Sequence, residues 1–100
     1  MRSDFPEADK PWLLAVFTAA KCQNCDAVWD ETQKLAATQP SRVSLVRVDS
    51  PSQKKLHRDY GIEAVPLTVV VDINGEVRAC HLGLLSPNTL SELAELVANG

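Results

Sequence analysis

The sequence lacks the features that define several whole classes of protein. No apolar run reaches about 18 residues, so no segment is long enough to span a membrane as a helix. Basic residues do not cluster with aromatic ones, and the formal net charge is −3, so nucleic acid is not an expected partner. No internal repeat or low-complexity tract is present. What remains is a small domain, and a hydrophobic fraction of 45% supplies enough side chains for a real core.

Cysteine is also scarce. Three cysteines are too few for a disulfide scaffold, and the odd number leaves at least one thiol unpaired within the chain. This usage suits a reducing compartment and a working cysteine pair. Because no signal peptide is visible in residues 1–10, we expect a cytoplasmic protein. The alternative is the soluble domain of a membrane-anchored or exported protein whose N-terminus was removed.

Two of the cysteines form the motif Cys22-Gln23-Asn24-Cys25, where an apolar run gives way to a helical pattern. The pattern predicts Cys22 in the first turn of a helix and Cys25 one turn further on. Sulfurs at this spacing can form and reopen a disulfide, but the same spacing is half of a zinc site. No second such motif or spaced histidine pair completes a zinc set. Cys80-His81 is the one possible complement, and adjacent strand residues point to opposite faces.

Hydrophobic periodicity predicts four strands and three helices. Apolar and β-branched runs predict strands at residues 12–18, 42–48, 67–71 and 76–82. Helical patterns begin near Cys22, at Ser50-Pro51 with Gln53 as a capping box, and at Ser86-Pro87. Asn74-Gly75 predicts a type I′ hairpin between the last two strands.

The element order is therefore β-α-β-α-β-β-α. The first three strands, joined by helices, are expected to run parallel, and the hairpin adds an antiparallel strand. We predict an α/β fold with a four-stranded mixed sheet and helices on both faces. Residues 1–11 are expected to form a frayed N-terminal arm, and residues 12–100 the domain.

Four motifs, in order and spacing, resemble the thioredoxin family. They are Cys22-x-x-Cys25 after a strand, Val65-Pro66-Leu67-Thr68 opening the third strand, the Asn-Gly hairpin within residues 72–77, and Gly83 before the last helix. The resemblance covers residues 12–98 and implies a short form of the fold, without the usual first strand and helix. It also implies a thiol–disulfide oxidoreductase that exchanges a dithiol with protein substrates through a mixed disulfide.

The two motif cysteines then take different roles. Cys22 is the expected nucleophile, because a helix N-terminus and the neighbouring Lys21 both favour its thiolate. Cys25 is expected to resolve the mixed disulfide. The pair itself carries the electrons, so we expect no metal and no organic cofactor. The expected partners are protein disulfides and a recharging reductase, flavin-dependent if the protein acts as a reductant; the chain is expected to be a monomer.

The resemblance implies further site residues. Pro66 is expected to be a cis-proline that leaves the backbone of Val65 free to pair with a substrate peptide. Gly83 is expected to let a loop approach the disulfide closely. Redox tuning is assigned to the motif residues Lys21, Gln23 and Asn24. Outside the site we expect Cys80 as a bystander, His57 and His81 as solvated residues, and Trp12 and Trp29 as core residues.

Two departures from the family's pattern keep a second function open. The family's buried aspartate, six residues before the first cysteine, is replaced by Val16, and its lysine partner by Leu45. Losing both is consistent, because a buried charge needs its partner. Without that acid, no evident group takes the proton from Cys25. The alternative is therefore a thioredoxin-like binding or redox-sensing domain with little turnover.

Overall fold

A computed structural model describes residues 4, 5, 8–49, 55, 58, 60–62 and 64–99. Within these residues, four strands form one mixed sheet in the order β2-β1-β3-β4. The strands are β1 (Trp12–Thr18), β2 (Val43–Asp49), β3 (Leu67–Val71) and β4 (Val77–Leu82). Two helices complete the elements, α1 (Cys25–Thr38) and α2 (Pro87–Asn99). The predicted α/β fold with a four-stranded mixed sheet is confirmed.

The core lies on both faces of β1, whose seven residues are all buried. On one face, Trp12 and Leu14 belong to a cluster that includes residues of both helices: Leu35, Leu93 and Val97. On the other face, Leu13, Ala15 and Phe17 pack in a cluster with Val48, Val69 and Val71. Burying each large apolar side chain contributes about 1.5–3 kcal/mol, so this central strand anchors the sheet.

The direction of β3 differs from the prediction. β1 pairs with β2 in parallel, but with β3 in antiparallel register, Phe17 opposite Leu67. A parallel β3 would require the chain to return along the whole sheet after β2. Instead β3 starts at the end of the sheet where β1 and β2 finish, and it runs back from there. The expectation of three parallel strands is therefore wrong.

The hairpin between β3 and β4 also differs in detail. A type I′ turn needs a positive φ at both of its central residues. Asn74 does not have one, because Lys21 is the one non-glycine residue with positive φ in the described part of the chain. Gly75 is left-handed, with φ 85°, and its N–H donates to the carbonyl of Asp72 at 3.0 Å. Asp72 Oδ1 accepts the N–H groups of Asn74 and Glu76, both at 2.9 Å. The Asp72 side chain thus organises the turn, and the pairing of β3 with β4 shifts register at Val70/Val71.

The N-terminal residues and the described residues that precede β3 complete the outline. Phe5 and Ala8 are buried against the sheet, and the Tyr60 hydroxyl donates to Asp4, so these residues of the predicted arm are not frayed. The predicted helix start at Ser50-Pro51 and Gln53 lies outside the described residues. Gly61 adopts φ 64° and donates to the carbonyl of Arg58, as expected for a residue that ends a helix.

Candidate functional site

The C-terminal ends of β1, β2 and β4 and the N-terminal end of β3 lie at the same end of the sheet. Thr18 at the end of β1 pairs with Asp49 at the end of β2. Beside them, Leu67 at the start of β3 pairs with Leu82 at the end of β4. The segment that carries both motif cysteines follows β1, Pro66 precedes β3, and Gly83 follows β4. The topology therefore gathers motifs that are distant in sequence at one end of the molecule.

The motif cysteines are joined by a disulfide, with 5.5 Å between their Cα atoms. Lys21 has φ 59°, which turns the chain between β1 and the helix. The helix α1 begins at Cys25 with Asn24 as its N-cap, so Cys22 lies in the turn before the helix. The prediction that both cysteines lie within the helix is wrong, because α1 begins about one turn later than predicted. The left-handed backbone of Lys21 cannot be part of a right-handed helix.

The two sulfur-bearing residues differ in exposure. Cys22 is half-buried, whereas Cys25 is only 2% exposed. Cys25 lies in the first turn of α1, where backbone N–H groups have no partner within the helix. An incoming group therefore meets the Cys22 side of the disulfide first, and Cys25 is shielded behind it.

The loops before β3 and after β4 are tied together. The Val65–Pro66 peptide bond is cis, and Pro66 is buried. The N–H of Gly83 donates to the carbonyl of Pro66 at 2.8 Å, and Gly83 has φ 83°. A left-handed backbone at this position suits glycine, because a side chain there is strained. The roles of Val65, Pro66 and Gly83 towards a substrate stay predictions.

A polar network, which the sequence analysis missed, lies where β1 and β2 end. Arg47 Nε donates to Thr18 Oγ1 at 3.1 Å, and the Thr18 hydroxyl donates to Asp49 Oδ1 at 2.9 Å. Arg47 Nη2 also lies 3.2 Å from Asp26 Oδ1, and its guanidinium carbon lies 5.5 Å from the centre of the Trp29 ring. Three contacts thus hold the Arg47 side chain in one place.

This network faces the disulfide across a shallow cleft of about 500 Å³. The cleft is lined by both cysteines and by the charged residues Lys21, Asp26, Arg47 and Asp49. The sequence signal was the alternation in the second strand, where polar Arg47 and Asp49 flank a buried Val48. Polar side chains at the carboxyl end of a strand beside the redox motif indicate a site, but only the fold brings them to it.

Other residues singled out from the sequence lie as follows. Gln23 and Asn24 are exposed, and their tuning role stays a prediction. Cys80 is an exposed free thiol on β4, and His81 next to it is half-buried; His57 is outside the described residues.

No three His, Cys, Asp or Glu side chains in the described part of the chain lie close enough to share a metal ion. No described helix is long and apolar enough to cross a membrane.

The two tryptophans differ from each other. Trp12 is buried in the core, as predicted, and its Nε1 has no hydrogen-bond partner. Trp29 is only half-buried, so its prediction as a core residue is wrong, and the guanidinium of Arg47 lies over its ring.

Comparison with known proteins decides the family. A family described as "Thioredoxin-like domain" matches residues 2–98. The chain belongs to the thioredoxin-like family. No curated protein matches it.

Solved thioredoxins share the fold of this thioredoxin-like domain at low identity. Thioredoxin-2, a component of the malaria parasite protein secretion machinery, is 23% identical with a TM-score of 0.75, over 90% of this chain and 84% of that one. Chloroplastic thioredoxin z is 21% identical with a TM-score of 0.78, over 99% and 88% of the two chains. A mutant thioredoxin from Halobacterium salinarum is 24% identical with a TM-score of 0.77, over 94% and 80%.

The family and the cysteine pair together support a redox oxidoreductase in general. The Cys22–Cys25 disulfide supplies the thiol–disulfide couple, and the thioredoxin-like domain places it at an accessible end of the sheet.

Proposed function

We propose that this thioredoxin-like domain exchanges its Cys22–Cys25 dithiol with disulfides of protein substrates through a mixed disulfide. The Cys22 thiolate attacks a substrate disulfide and releases one substrate thiolate. Cys25 then attacks Cys22, which restores the internal disulfide and releases the second substrate thiol. Two electrons and two protons pass from the dithiol to the substrate, so the step balances without an organic cofactor or metal.

The unequal exposure of the two cysteines carries this proposal. A half-buried Cys22 is open to a large substrate, while Cys25, at 2% exposure, is open mainly to Cys22. This order of access supports attack by the outer sulfur and resolution by the inner one. If both cysteines were equally buried, their exposure would not distinguish the attacking from the resolving residue.

The neighbouring loops supply a surface for the substrate chain. Val65 is half-buried, and it precedes the buried Pro66, whose carbonyl is already used by Gly83. We assign the backbone of Val65 to pairing with an extended peptide, with Gly83 as the adjacent loop. Two partner classes follow, namely proteins with an accessible disulfide and a reductase that recharges the pair. We assign the protein to the cytoplasm, as a monomer.

Catalysed reduction of insulin disulfides by dithiothreitol tests the proposal. The wild type is expected to accelerate the reaction strongly, and Cys22→Ser is expected to abolish the acceleration. Cys80→Ser is the matched control, because Cys80 is an exposed thiol outside the site and its loss should change nothing. If the wild type does not accelerate the reaction, or Cys22→Ser remains active, the proposed function is wrong.

A second candidate is a redox-sensing or binding domain with slow turnover. One observation favours it: Val16, at the position of the family's buried acid, is fully buried and apolar. Under this alternative, the disulfide forms and breaks with a measurable reduction potential, but insulin reduction stays close to the uncatalysed rate. Measuring both quantities on one sample separates the two candidates.

A further inference from the structure

The resolving step needs a base for Cys25, since the thiolate and not the thiol attacks a disulfide. Cys25 is 2% exposed, so bulk solvent has little access to it. The buried Val16 offers no acceptor. An acceptor must therefore come from the cleft that Cys25 lines.

Four charged side chains line that cleft in the described part of the chain. Lys21, on the loop, and Arg47, on β2, are cations and accept no proton at neutral pH. Asp26, on α1, is 88% exposed and points its Oδ1 at Arg47. Asp49, at the end of β2, is half-buried and accepts a hydrogen bond from the fully buried Thr18. Asp49 is therefore the half-buried carboxylate, held by a hydrogen bond, that lines the cleft together with the cysteines.

The hydrogen bonds around Thr18 have a fixed direction. The guanidinium of Arg47 can only donate, so Thr18 Oγ1 accepts from Nε and gives its own hydrogen to Asp49 Oδ1. This chain orients the carboxylate and connects it to a residue that is itself held by Asp26 and Trp29. Asp49 and the buried Cys25 line the same cleft, and a general base acts on such a thiol directly or through one bridging water.

We propose that Asp49 is the general base for Cys25, with Thr18 and Arg47 as positioning residues; this rests on the mixed-disulfide mechanism proposed above. Asp49 takes the proton from the Cys25 thiol, directly or through one water. The Cys25 thiolate forms the new S–S bond to Cys22, and the bond between Cys22 and the substrate sulfur breaks. The departing substrate thiolate recovers the proton from Asp49. The cysteine pair is oxidised, the substrate is reduced, and Asp49 ends as it began.

Stopped-flow reaction of the reduced protein with 5,5′-dithiobis(2-nitrobenzoate) isolates this step, using Cys80→Ser as the background to remove the exposed thiol. Attack by Cys22 releases one thionitrobenzoate, and attack by Cys25 on the mixed disulfide releases the second. Asp49→Asn keeps the shape and the hydrogen-bond acceptor but is a far weaker base. We expect the second phase to slow about 100-fold at and below neutral pH, while the first phase changes little.

The pH profile supplies a readout that a purely structural role does not move. In Asp49→Asn the second phase should become proportional to hydroxide concentration, so the gap to the wild type closes as pH rises. Thr18→Val should slow the second phase by a smaller factor, and Thr18→Ser should restore it. Asp30→Asn, an equal charge change on the exposed side of α1, is the matched control and should match the wild type.

The outcomes separate the two levels of the argument. A wild type that never shows the second phase overturns the proposed function, and this inference with it. A wild type with two phases and an equally fast Asp49→Asn overturns this inference alone. An equal slowing in Asp26→Asn also overturns it, because total charge in the cleft would then matter and not the position of Asp49.

Discussion

Val16→Asp places a carboxyl group in the part of the sheet that the structure shows as closed to water. Val16 is fully buried on β1. Losing its apolar burial costs about 1.5–3 kcal/mol, and burying a carboxyl group without a partner costs about 1–3 kcal/mol more. We therefore expect a loss of about 3–6 kcal/mol in the free energy of unfolding near pH 4, a large part of the 5–15 kcal/mol typical of a domain.

The loss should grow with pH. Burial raises the pKa of a carboxyl group, so the new side chain stays protonated in the folded protein after its unfolded counterpart has ionised at about 3.9. The unfolded state then binds fewer protons than the folded one, and stability falls with rising pH by about 1.4 kcal/mol per unit. Between pH 4 and pH 7 this adds about 4 kcal/mol, so the total loss at neutral pH is about 7–10 kcal/mol, within the 5–15 kcal/mol range of domain stabilities.

Urea unfolding followed by circular dichroism at pH 4 and pH 7 measures both effects. Val16→Asn is the matched control, since it carries a polar group of the same size without a proton to lose, and its deficit should not grow with pH in this way. Arg47, which is opposite Val16 in the sheet register, is a candidate partner for the new carboxylate. If Arg47 turned to pair with the new carboxylate, the deficit would stay flat or shrink with rising pH, which would refute the closed environment assigned to Val16.

Three further predictions concern the redox pair, its optical signal and the far hairpin. Cys25→Ser should accumulate mixed disulfides that non-reducing gels reveal and dithiothreitol removes, whereas Cys22→Ser should trap few. Reduction should raise the fluorescence of Trp29, one helical turn from Cys25, and Trp29→Phe should abolish most of the change; a signal carried by Trp12 would contradict this. The N–H of Glu76, with further help from neighbouring groups, lowers the pKa of Asp72. The ionised Asp72 carboxylate therefore stabilises the folded protein at pH values above 3.8, the ordinary pKa of the group. This stabilisation is lost as pH falls through the lower pKa of the folded state, so Asp72→Asn should lower the melting temperature at neutral pH but not in strong acid.

Local patterns predicted most of the elements. The apolar run of β1 and the proline-capped start of α2 are decided by neighbours in sequence, and the structure reproduces them at Trp12–Thr18 and Pro87–Asn99. The start of α1 was predicted too early in the chain, because no pattern in the sequence predicts the left-handed backbone of Lys21. The turn after β3 was misassigned because the Asp72 carboxylate competes with the Asn-Gly preference for a type I′ turn.

Long-range geometry was beyond local patterns. The direction of β3 depends on where the chain re-enters the sheet, and the helix-crossover rule gave the wrong answer. The cysteine pair was predicted as the centre of the site, because both residues of the disulfide lie within one short sequence motif. Thr18, Arg47 and Asp49 were missed as a group, because they meet only when β1 and β2 are laid side by side. The sequence analysis considered a proton acceptor only at the position of Val16, whereas in the folded protein the carboxylates of Asp26 and Asp49 line the cleft with the cysteines.

The position of the disulfide at one end of the sheet also has a consequence for the proposed encounters with other proteins in solution. The described part of the molecule measures 33 × 29 × 18 Å, and the β3–β4 hairpin lies about 15 Å along the strands from the disulfide end. Under the proposed function, collisions elsewhere on the surface are unproductive, and such orientational constraints typically hold association rates near 10⁵–10⁷ M⁻¹s⁻¹. Tethering the chain to a solid support through the hairpin, where Ile73 is 64% exposed, would direct every molecule's disulfide outward and raise the share of productive encounters.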